Sequence, residues 1–92
     1  MNAFFQPGSI VRIFETDQGM ITTNVVQIVE LGTDGFLARS VHNGMFVWYN
    51  LRSVSFHAVG QIPDNELKVI MEQIDILKEE GRMDSISGSS LF

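Results

Sequence analysis

The sequence predicts a mainly β protein, in which a small, five-stranded, bent antiparallel barrel is followed by one C-terminal α-helix. Three observations lead to this fold class. Short runs of β-branched and aromatic residues are separated by turn residues about every ten positions over the first two thirds of the chain. Asn43-Gly44 is the dipeptide most typical of a tight β-hairpin turn. After Pro63 the apolar residues change from strand spacing to helical spacing.

The five predicted strands are separated by turns that are rich in Gly, Asp and Asn. The Asn43-Gly44 pair predicts a two-residue type I′ turn, so the third and fourth strands should pair antiparallel. The second strand is long enough to bend through a small barrel. The predicted strands cover residues 10–14, 20–31, 36–41, 46–51 and 52–59, and the alternative for the last is a tight turn near residues 50–53 before the strand begins.

The segment after Pro63 is predicted to be an amphipathic helix. Asp64 is a favourable N-cap residue, Glu66 is favourable in the first turn, and Gly81 is a natural C-terminal stop. The apolar stripe, which is the candidate helix interface, is expected to pack on the barrel or on a neighbouring subunit. The predicted organisation is a barrel domain over 1–63, this helix over 64–81 and a flexible tail over 82–92. The stripe consists of Leu67, Ile70, Ile74 and Leu77.

The net charge of −5 is carried mostly by the C-terminal segment. Residues 1–63 contain three arginines and four carboxylates, whereas residues 64–92 contain three cations and seven carboxylates. Such a chain lacks the basic footprint that duplex DNA requires. It contains no cysteine, no secretory signal and no apolar run long enough for a membrane span, and we therefore expect a cytoplasmic protein that does not bind membranes.

The strands carry apolar residues on both faces. In the fourth strand, Phe46 and Trp48 share one face, whereas Val47, Tyr49 and Leu51 share the other. A small barrel buries only its inner face, and one four-turn helix is too short to cover all of the outer face. The pattern therefore predicts a homo-oligomer.

The order of elements resembles the Sm-like small barrel, and the closest likeness is to the bacterial host-factor RNA chaperone family. The resemblance covers about residues 8–59 and rests on the Gly turn, the long bent strand, the Asn-Gly hairpin and the stretch 47–56. It implies edge-to-edge strand pairing between subunits into a closed ring, and a site for single-stranded RNA. The sequence departs from the family in two ways: Asn50-Leu51 stands where the family has a basic pair, and the helix follows the barrel. SH3-like barrels share a similar strand order.

Catalytic and metal-binding patterns are not predicted. His42 and His57 have no partner at ligand spacing, and Glu15 and Asp17 are expected in a solvated turn. No serine lies in a nucleophile-elbow pattern, and the glycines belong to turns rather than to a phosphate loop. We therefore expect a protein that is not an enzyme and has no cofactor or bound metal.

Aromatic and arginine residues interleave along the strands and are the candidate contact residues. These aromatic residues either form the core and the subunit interface, or belong to a surface that stacks single-stranded nucleic acid; such residues are also common at protein interfaces. The sequence thus predicts a homo-oligomeric interaction module that binds a protein partner; the alternative is an Sm-like ring that binds single-stranded RNA. The candidate contacts are Arg39, Trp48, Tyr49, Asn50 and Arg52.

Overall fold

Five antiparallel strands and a single C-terminal helix make up the computed structural model, which describes residues 5–81. The predicted fold class, mainly β with five antiparallel strands followed by one helix, is confirmed. The tail predicted over 82–92 lies outside the described residues. The elements are β1 (Ile10–Asp17), β2 (Met20–Leu31), β3 (Gly35–Ser40), β4 (Phe46–Asn50), β5 (Phe56–Gln61) and α1 (Asp64–Glu79).

The strands form one sheet in the order β4-β3-β2-β1-β5. The long strand β2 pairs with β1 over residues 20–27 and with β3 over residues 26–31, and a bulge between Ile28 and Glu30 helps it to bend. The sheet is not closed by hydrogen bonds, so β4 and β5 are its two edges.

The concave face of the sheet holds the main hydrophobic core. Phe36 lies at its centre, with its ring centroid 5.3 Å from that of Tyr49 on β4 and 6.3 Å from that of Phe56 on β5. Side chains from both edge strands therefore meet in one core, although their backbones do not pair. The buried residues of this core are Val11, Ile13, Val26, Ile28, Phe36, Ala38 and Tyr49.

Helix α1 packs on the convex face of its own sheet. Ile74 and Leu77 are buried against Val41, and the partly buried Ile10 and Val25 extend the same cluster. From the predicted stripe, Ile70 also joins this cluster, whereas Leu67 is only half-buried. The helix therefore lies over β1, β2 and the end of β3, and it leaves the convex face at β4 uncovered.

The ends of the helix differ from the prediction by one residue at the start. Pro63 is the N-cap residue and Asp64 is the first helical residue, so the assignment of Asp64 as N-cap is wrong. Pro63 has extended backbone (φ −61°, ψ 149°) and precedes the helix, and Asp64 and Glu66 still lie in the first turn, where the helix dipole favours acidic residues. At the other end Gly81 has φ +72°, as expected for a glycine that terminates a helix.

The loop between β3 and β4 is not the predicted type I′ turn. Gly44 has φ +76°, but Asn43 is not in the left-handed region, which a type I′ turn requires of both residues. The Arg39 Nε donates a hydrogen bond of 2.7 Å to the Gly44 carbonyl, so this side chain holds the loop at Gly44. The consecutive left-handed residues occur instead at Gln18 and Gly19, between β1 and β2.

The fifth strand begins later than predicted. Residues 51–55 form turns, in which the Ser53 N–H donates to the Asn50 carbonyl and the Phe56 N–H donates to the Ser53 carbonyl. Strand β5 therefore starts at Phe56 and continues to Gln61.

Candidate functional site at the β4 edge

On one side, the backbone of β4 makes no hydrogen bonds to any other strand that the structure describes. The Ser40 N–H donates to the Met45 carbonyl and the Leu51 N–H donates to the Asp34 carbonyl, both at 2.9 Å, at the two ends of the β3–β4 pairing. Hydrogen-bonded and non-hydrogen-bonded pairs alternate in an antiparallel ladder. The N–H and C=O groups of Phe46 and Trp48 and the N–H of Asn50 therefore point away from β3, toward the open edge, whereas the Asn50 carbonyl accepts a hydrogen bond from the Ser53 N–H.

Most side chains of this strand are also exposed. Trp48 is 57% exposed, and Met45, Phe46, Val47 and Leu51 are exposed as well. Large apolar residues on both faces of an edge strand are unusual, because natural edges generally carry charges, prolines or bulges that prevent pairing with another chain. Residues Phe46–Asn50 contain none of these protective features.

On the convex face of β4, the aromatic rings of Trp48 and Phe46 each pack against residues that precede β4 in the chain. The Trp48 indole lies against the Gly32–Gly35 turn, so closely that a Cβ atom at either glycine would lie 2.9 Å from a ring carbon. The Phe46 ring lies on the guanidinium of Arg39, with 4.6 Å between Cζ and the ring centroid. Between them, Leu37 is half-buried on the neighbouring strand, opposite Trp48. We call this surface, consisting of Leu37, Phe46 and Trp48, the aromatic platform.

Of the predicted contacts, Arg39 lies inside the protein. Its side chain is covered by Phe46 and the β3–β4 loop, and the residue is only 8% exposed. A guanidinium in this position orders the loop and supports Phe46, and it does not reach the surface.

Arg52 lies at the surface, beside the end of β4. Its side chain is 80% exposed, and its Nε is 3.0 Å from an Asp34 carboxylate oxygen. The Asn50 side chain accepts a hydrogen bond of 2.9 Å from the Arg52 N–H. Trp48, Asn50 and Arg52 are thus the predicted contact residues that the structure brings together on one exposed surface.

Tyr49 points to the concave side and belongs to the core, where it is 5% exposed. Its hydroxyl accepts a hydrogen bond of 2.9 Å from the Asn24 side-chain amide. Burial raises the pKa of the Tyr49 hydroxyl, the bond from Asn24 opposes this rise, and the charge of Glu15 adds to it. Tyr49 is therefore a core residue rather than a surface contact.

The sequence pattern did not identify the glycines beneath the Trp48 ring, or the acidic residues near the aromatic platform, as parts of a candidate site. Gly32 and Gly35 were read only as turn residues, although the Trp48 ring requires the absence of their side chains. Leu37 was not singled out because its position beside Trp48 depends on the register of β3 against β4. A search for glycines near a tryptophan on a predicted edge strand could have identified Gly32 and Gly35.

In the part of the chain that the structure describes, the titratable residues outside β4 do not form a recognisable catalytic arrangement. His42 is exposed in the β3–β4 loop, and the His57 Nε2 is hydrogen-bonded to the Thr16 hydroxyl on the exposed face of the β1–β5 pair. Within residues 5–81, no group of three or more His, Asp and Glu residues is placed to hold a metal ion. A shallow groove of about 460 Å³ between the helix and the sheet is lined by Arg12, Val25, His42 and Ile70, among others. Arg12 forms an ion pair with Glu66 of the helix at 2.9 Å.

No helix in the described part of the chain is long and apolar enough to cross a membrane. Comparison of the chain with protein-family models, with curated proteins and with solved structures finds no match. The resemblance to Sm-like barrels therefore remains an expectation from the sequence.

Proposed function

We propose that this chain is a non-enzymatic interaction module that self-associates by adding a strand at the β4 edge and, in the assembled form, binds a protein partner. The observation that carries the proposal is the open edge of β4, where outward backbone groups and exposed apolar side chains occur together at Phe46 and Trp48. Such an edge is a template for pairing with another strand.

The second edge of the same sheet is a suitable partner for the first. The Ile28 N–H donates to the Ser9 carbonyl, and the Thr16 N–H donates to the Ser55 carbonyl, so alternate residues of β1 bond to β2 and to β5. By the same alternation, Val59 and Gln61 of β5 direct their backbone groups outward. The β5 edge has six residues and the β4 edge has five.

The chemistry of the two edges is also compatible. Neither β4 nor β5 contains a lysine, arginine, aspartate or glutamate, so pairing between copies would not place like charges opposite each other. A contact between two different edges is heterologous, and it produces a ring when the rotation between copies closes. This agrees with the ring that the Sm-like resemblance implies.

Self-association can be followed through Trp48, which is the only tryptophan of the chain. Its indole lies on the edge strand and is largely exposed in the single chain. On dilution through the dissociation range, we expect its emission to move from shorter to longer wavelength as the indole becomes hydrated. An emission maximum that stays at the position of a hydrated indole at every concentration, together with the mass of a monomer, would contradict the proposal.

A ring that binds single-stranded RNA is the second candidate, and the joint exposure of Trp48 and Arg52 at the end of β4 is the observation that favours it. If this function is correct, a short single-stranded RNA should bind with an affinity that falls steeply with salt. Arg52→Ala should weaken that binding and flatten the salt dependence while the assembly stays intact. If Arg52 lies at a subunit interface instead, the same substitution should alter the assembly.

A further inference from the structure

The groove between helix α1 and the convex face of the sheet combines an aliphatic middle with a cation at one end. Its volume of about 460 Å³ lies within the range of about 300–1,000 Å³ that is typical of sites for small molecules. One wall is the helix, and the floor is formed by β1, β2 and the residue that follows β3. We call this surface the helix groove, and its main lining residues are Arg12, Val25, Val41, His42, Val69 and Ile70.

The helix groove runs along the helix and crosses three neighbouring segments of the sheet. Arg12 is paired with Val25, and the Val41 N–H donates a hydrogen bond of 3.1 Å to the Val25 carbonyl. Adjacent strands are about 4.8 Å apart, so about 10 Å separate the backbone of Arg12 from that of Val41. The helix crosses these segments in the same direction, since its Glu66 contacts Arg12 and its Ile74 packs against Val41. The groove therefore has one end at Arg12 and the other at Val41.

The middle of the helix groove is aliphatic. Val41 is buried at its floor, and Val25 and Ile70 are half-buried beside it. Val69 forms the outer wall and is 64% exposed, so a ligand that covers it would remove apolar surface from water. Among the described residues that line the groove, none is a phenylalanine, tyrosine or tryptophan. A saturated chain therefore fits this surface better than a flat ring, which needs an aromatic side chain to stack on.

Arg12 places a positive charge at one end of the groove. Its Nη2 donates a hydrogen bond of 2.9 Å to the Glu66 carboxylate, which holds the guanidinium beside the groove. A guanidinium has five N–H donors in a planar arrangement that suits carboxylate oxygens, and this bond uses one of them. The Arg12 side chain is 31% exposed, so a ligand carboxylate can reach the other donors. No acidic residue is found among the described residues that line the groove.

The length of the groove sets the length of the ligand. Carbon–carbon bonds of about 1.5 Å in a staggered chain advance it by about 1.25 Å each, so eight carbons extend over about 9 Å. This length is close to the separation of about 10 Å between the backbones of Arg12 and Val41. The chemistry that fits the groove is thus one carboxylate on an unbranched aliphatic chain of about eight carbons.

We propose that the helix groove binds a small aliphatic monocarboxylate, of the class of medium-chain fatty acids. Its carboxylate accepts hydrogen bonds from the Arg12 guanidinium, and its chain lies over Val25 and Val41, against Val69. This inference goes beyond the proposed function, because the groove uses no residue of β4 or β5. Ligand binding and strand addition are therefore independent of each other.

Two other classes of ligand fit the groove less well. A cationic ligand would place its charge beside the Arg12 guanidinium. A polyanion such as a nucleic acid would bring several phosphates to one arginine that already neutralises Glu66. A single negative charge on an apolar body matches the one cation and the aliphatic middle.

The test is calorimetric titration of the full chain with octanoate. Three control ligands each change one property: octanol has the same chain without charge, octylammonium has the opposite charge, and propanoate has the same charge on a short chain. We expect saturable one-to-one binding of octanoate, at least about tenfold weaker binding of octanol and propanoate, and none of octylammonium. Methyl resonances of Val69 and Ile70 should shift on titration with octanoate.

Two substitutions at the ion pair test the role of Arg12. Arg12→Gln should weaken octanoate binding at least about tenfold and leave octanol binding unchanged, because a charged hydrogen-bond donor is lost. Glu66→Gln should tighten octanoate binding at least about twofold, because it removes a negative charge beside the ligand carboxylate. If the ion pair only shaped the groove, both substitutions would weaken binding.

A third substitution tests the aliphatic wall. Val69→Thr keeps the branched shape but adds a hydroxyl that the bound chain would cover, so octanoate binding should weaken at least about threefold. Val54→Thr is the matched control, since Val54 is 99% exposed and lies outside the groove. It should bind octanoate like the unchanged chain.

The outcomes overturn or support the inference separately from the proposed function. No saturable binding of octanoate, equal binding of octanol, or weaker binding by both Arg12→Gln and Glu66→Gln overturns it. Tenfold tighter binding of the peptide acetyl-Gly-Gly-Val would assign the groove to peptide termini and also overturn it. If Arg12→Gln does not fold, the octanol comparison and Glu66→Gln decide. An oligomer in light scattering that binds no octanoate leaves self-association standing, whereas a monomer that binds it through Arg12 supports the inference and contradicts self-association.

Discussion

Arg39 is a charged residue in the interior whose role depends on the geometry of its guanidinium. Its Nε donates to the Gly44 carbonyl, and the planar group supports the Phe46 ring. A lysine carries the same charge but lacks both the Nε–H and the flat surface. The sequence predicted a contact residue here because nothing in an Arg-Ser-Val stretch shows that the arginine is covered by Phe46 and bonded to Gly44.

We expect Arg39→Lys to lower the free energy of unfolding by about 2 kcal/mol, the size of a lost hydrogen bond to a charged group together with looser packing. The measurement is urea denaturation of each variant. Arg52→Lys is the matched control, because Arg52 is exposed and should change stability by less than about 0.5 kcal/mol. Equal effects of the two substitutions would show that Arg39 is not held as described.

Tyr49 is the only tyrosine of the chain, so its titration can be followed by the absorbance of its phenolate. Burial raises its pKa in the folded protein, whereas the unfolded chain should titrate near pH 10. The folded state therefore holds this proton more tightly, and stability should be unchanged below about pH 10 and fall as the pH rises above it. A phenolate that forms at or below the ordinary pKa in the folded protein would disprove the burial of this hydroxyl.

The hydrogen bond from Asn24 lowers the Tyr49 pKa and satisfies a buried hydroxyl. Asn24→Ala should therefore raise the Tyr49 pKa further and reduce stability by about 1 kcal/mol at neutral pH. The pH titration and a urea denaturation curve measure the two effects. An unchanged titration in this variant would mean that the bond does not form in solution.

The apolar pattern of helix α1 predicted the helix and its buried face, but not the surface on which that face packs. Its stripe at helical spacing predicted the helix and its inward face, because Ile74 and Leu77 repeat at the period of an α-helix. The same pattern could not tell which surface the stripe covers, since a neighbouring barrel would be equally apolar. The structure places it on Val41, Ile10 and Val25 of its own sheet.

We expect Leu77→Ala to destabilise the protein by about 2–5 kcal/mol, because it leaves a cavity under a helix that covers the convex face. Ile76→Ala is the matched control one position earlier, since Ile76 is about half-exposed, and it should cost less than about 1 kcal/mol. Thermal unfolding of both variants provides the comparison. A Leu77→Ala variant as stable as Ile76→Ala would show that the helix does not pack on the sheet in this way.

The strands were predicted with different success, for identifiable reasons. The β-branched run of β2 has clear turns on both sides, and its predicted bounds agree with the structure. The type I′ turn at Asn43-Gly44 was wrong because Ser40 pairs with Met45, which leaves a loop of four residues, 41–44, instead of two. The turn expected near residues 50–53 is present, but the start of β5 was wrong because a second turn follows directly and delays the strand to Phe56. Local patterns identified the elements, whereas long-range contacts decided their ends and the surface of the candidate site.

At the scale of the whole molecule, the two ends of the sheet remain without partners. The strand order leaves β4 and β5 at opposite edges, and the helix covers neither the β4 edge nor the aromatic platform. The apolar residues on both faces of the predicted strands indicated that a single chain would expose apolar surface. The sequence could not show that this surface is concentrated on one edge strand, because its location depends on the order of strands in the sheet.

The most direct measurement is the mass in solution, by light scattering coupled to gel filtration, of the unchanged chain and of two substitutions at Trp48. Trp48→Ala removes the ring but keeps the outward N–H, whereas Trp48→Pro also removes that N–H without disturbing the bonds to β3. We predict an oligomer for the unchanged chain and for Trp48→Ala, and a folded monomer for Trp48→Pro. A monomeric unchanged chain, or a Trp48→Pro variant that assembles like Trp48→Ala, would contradict strand addition at the β4 edge.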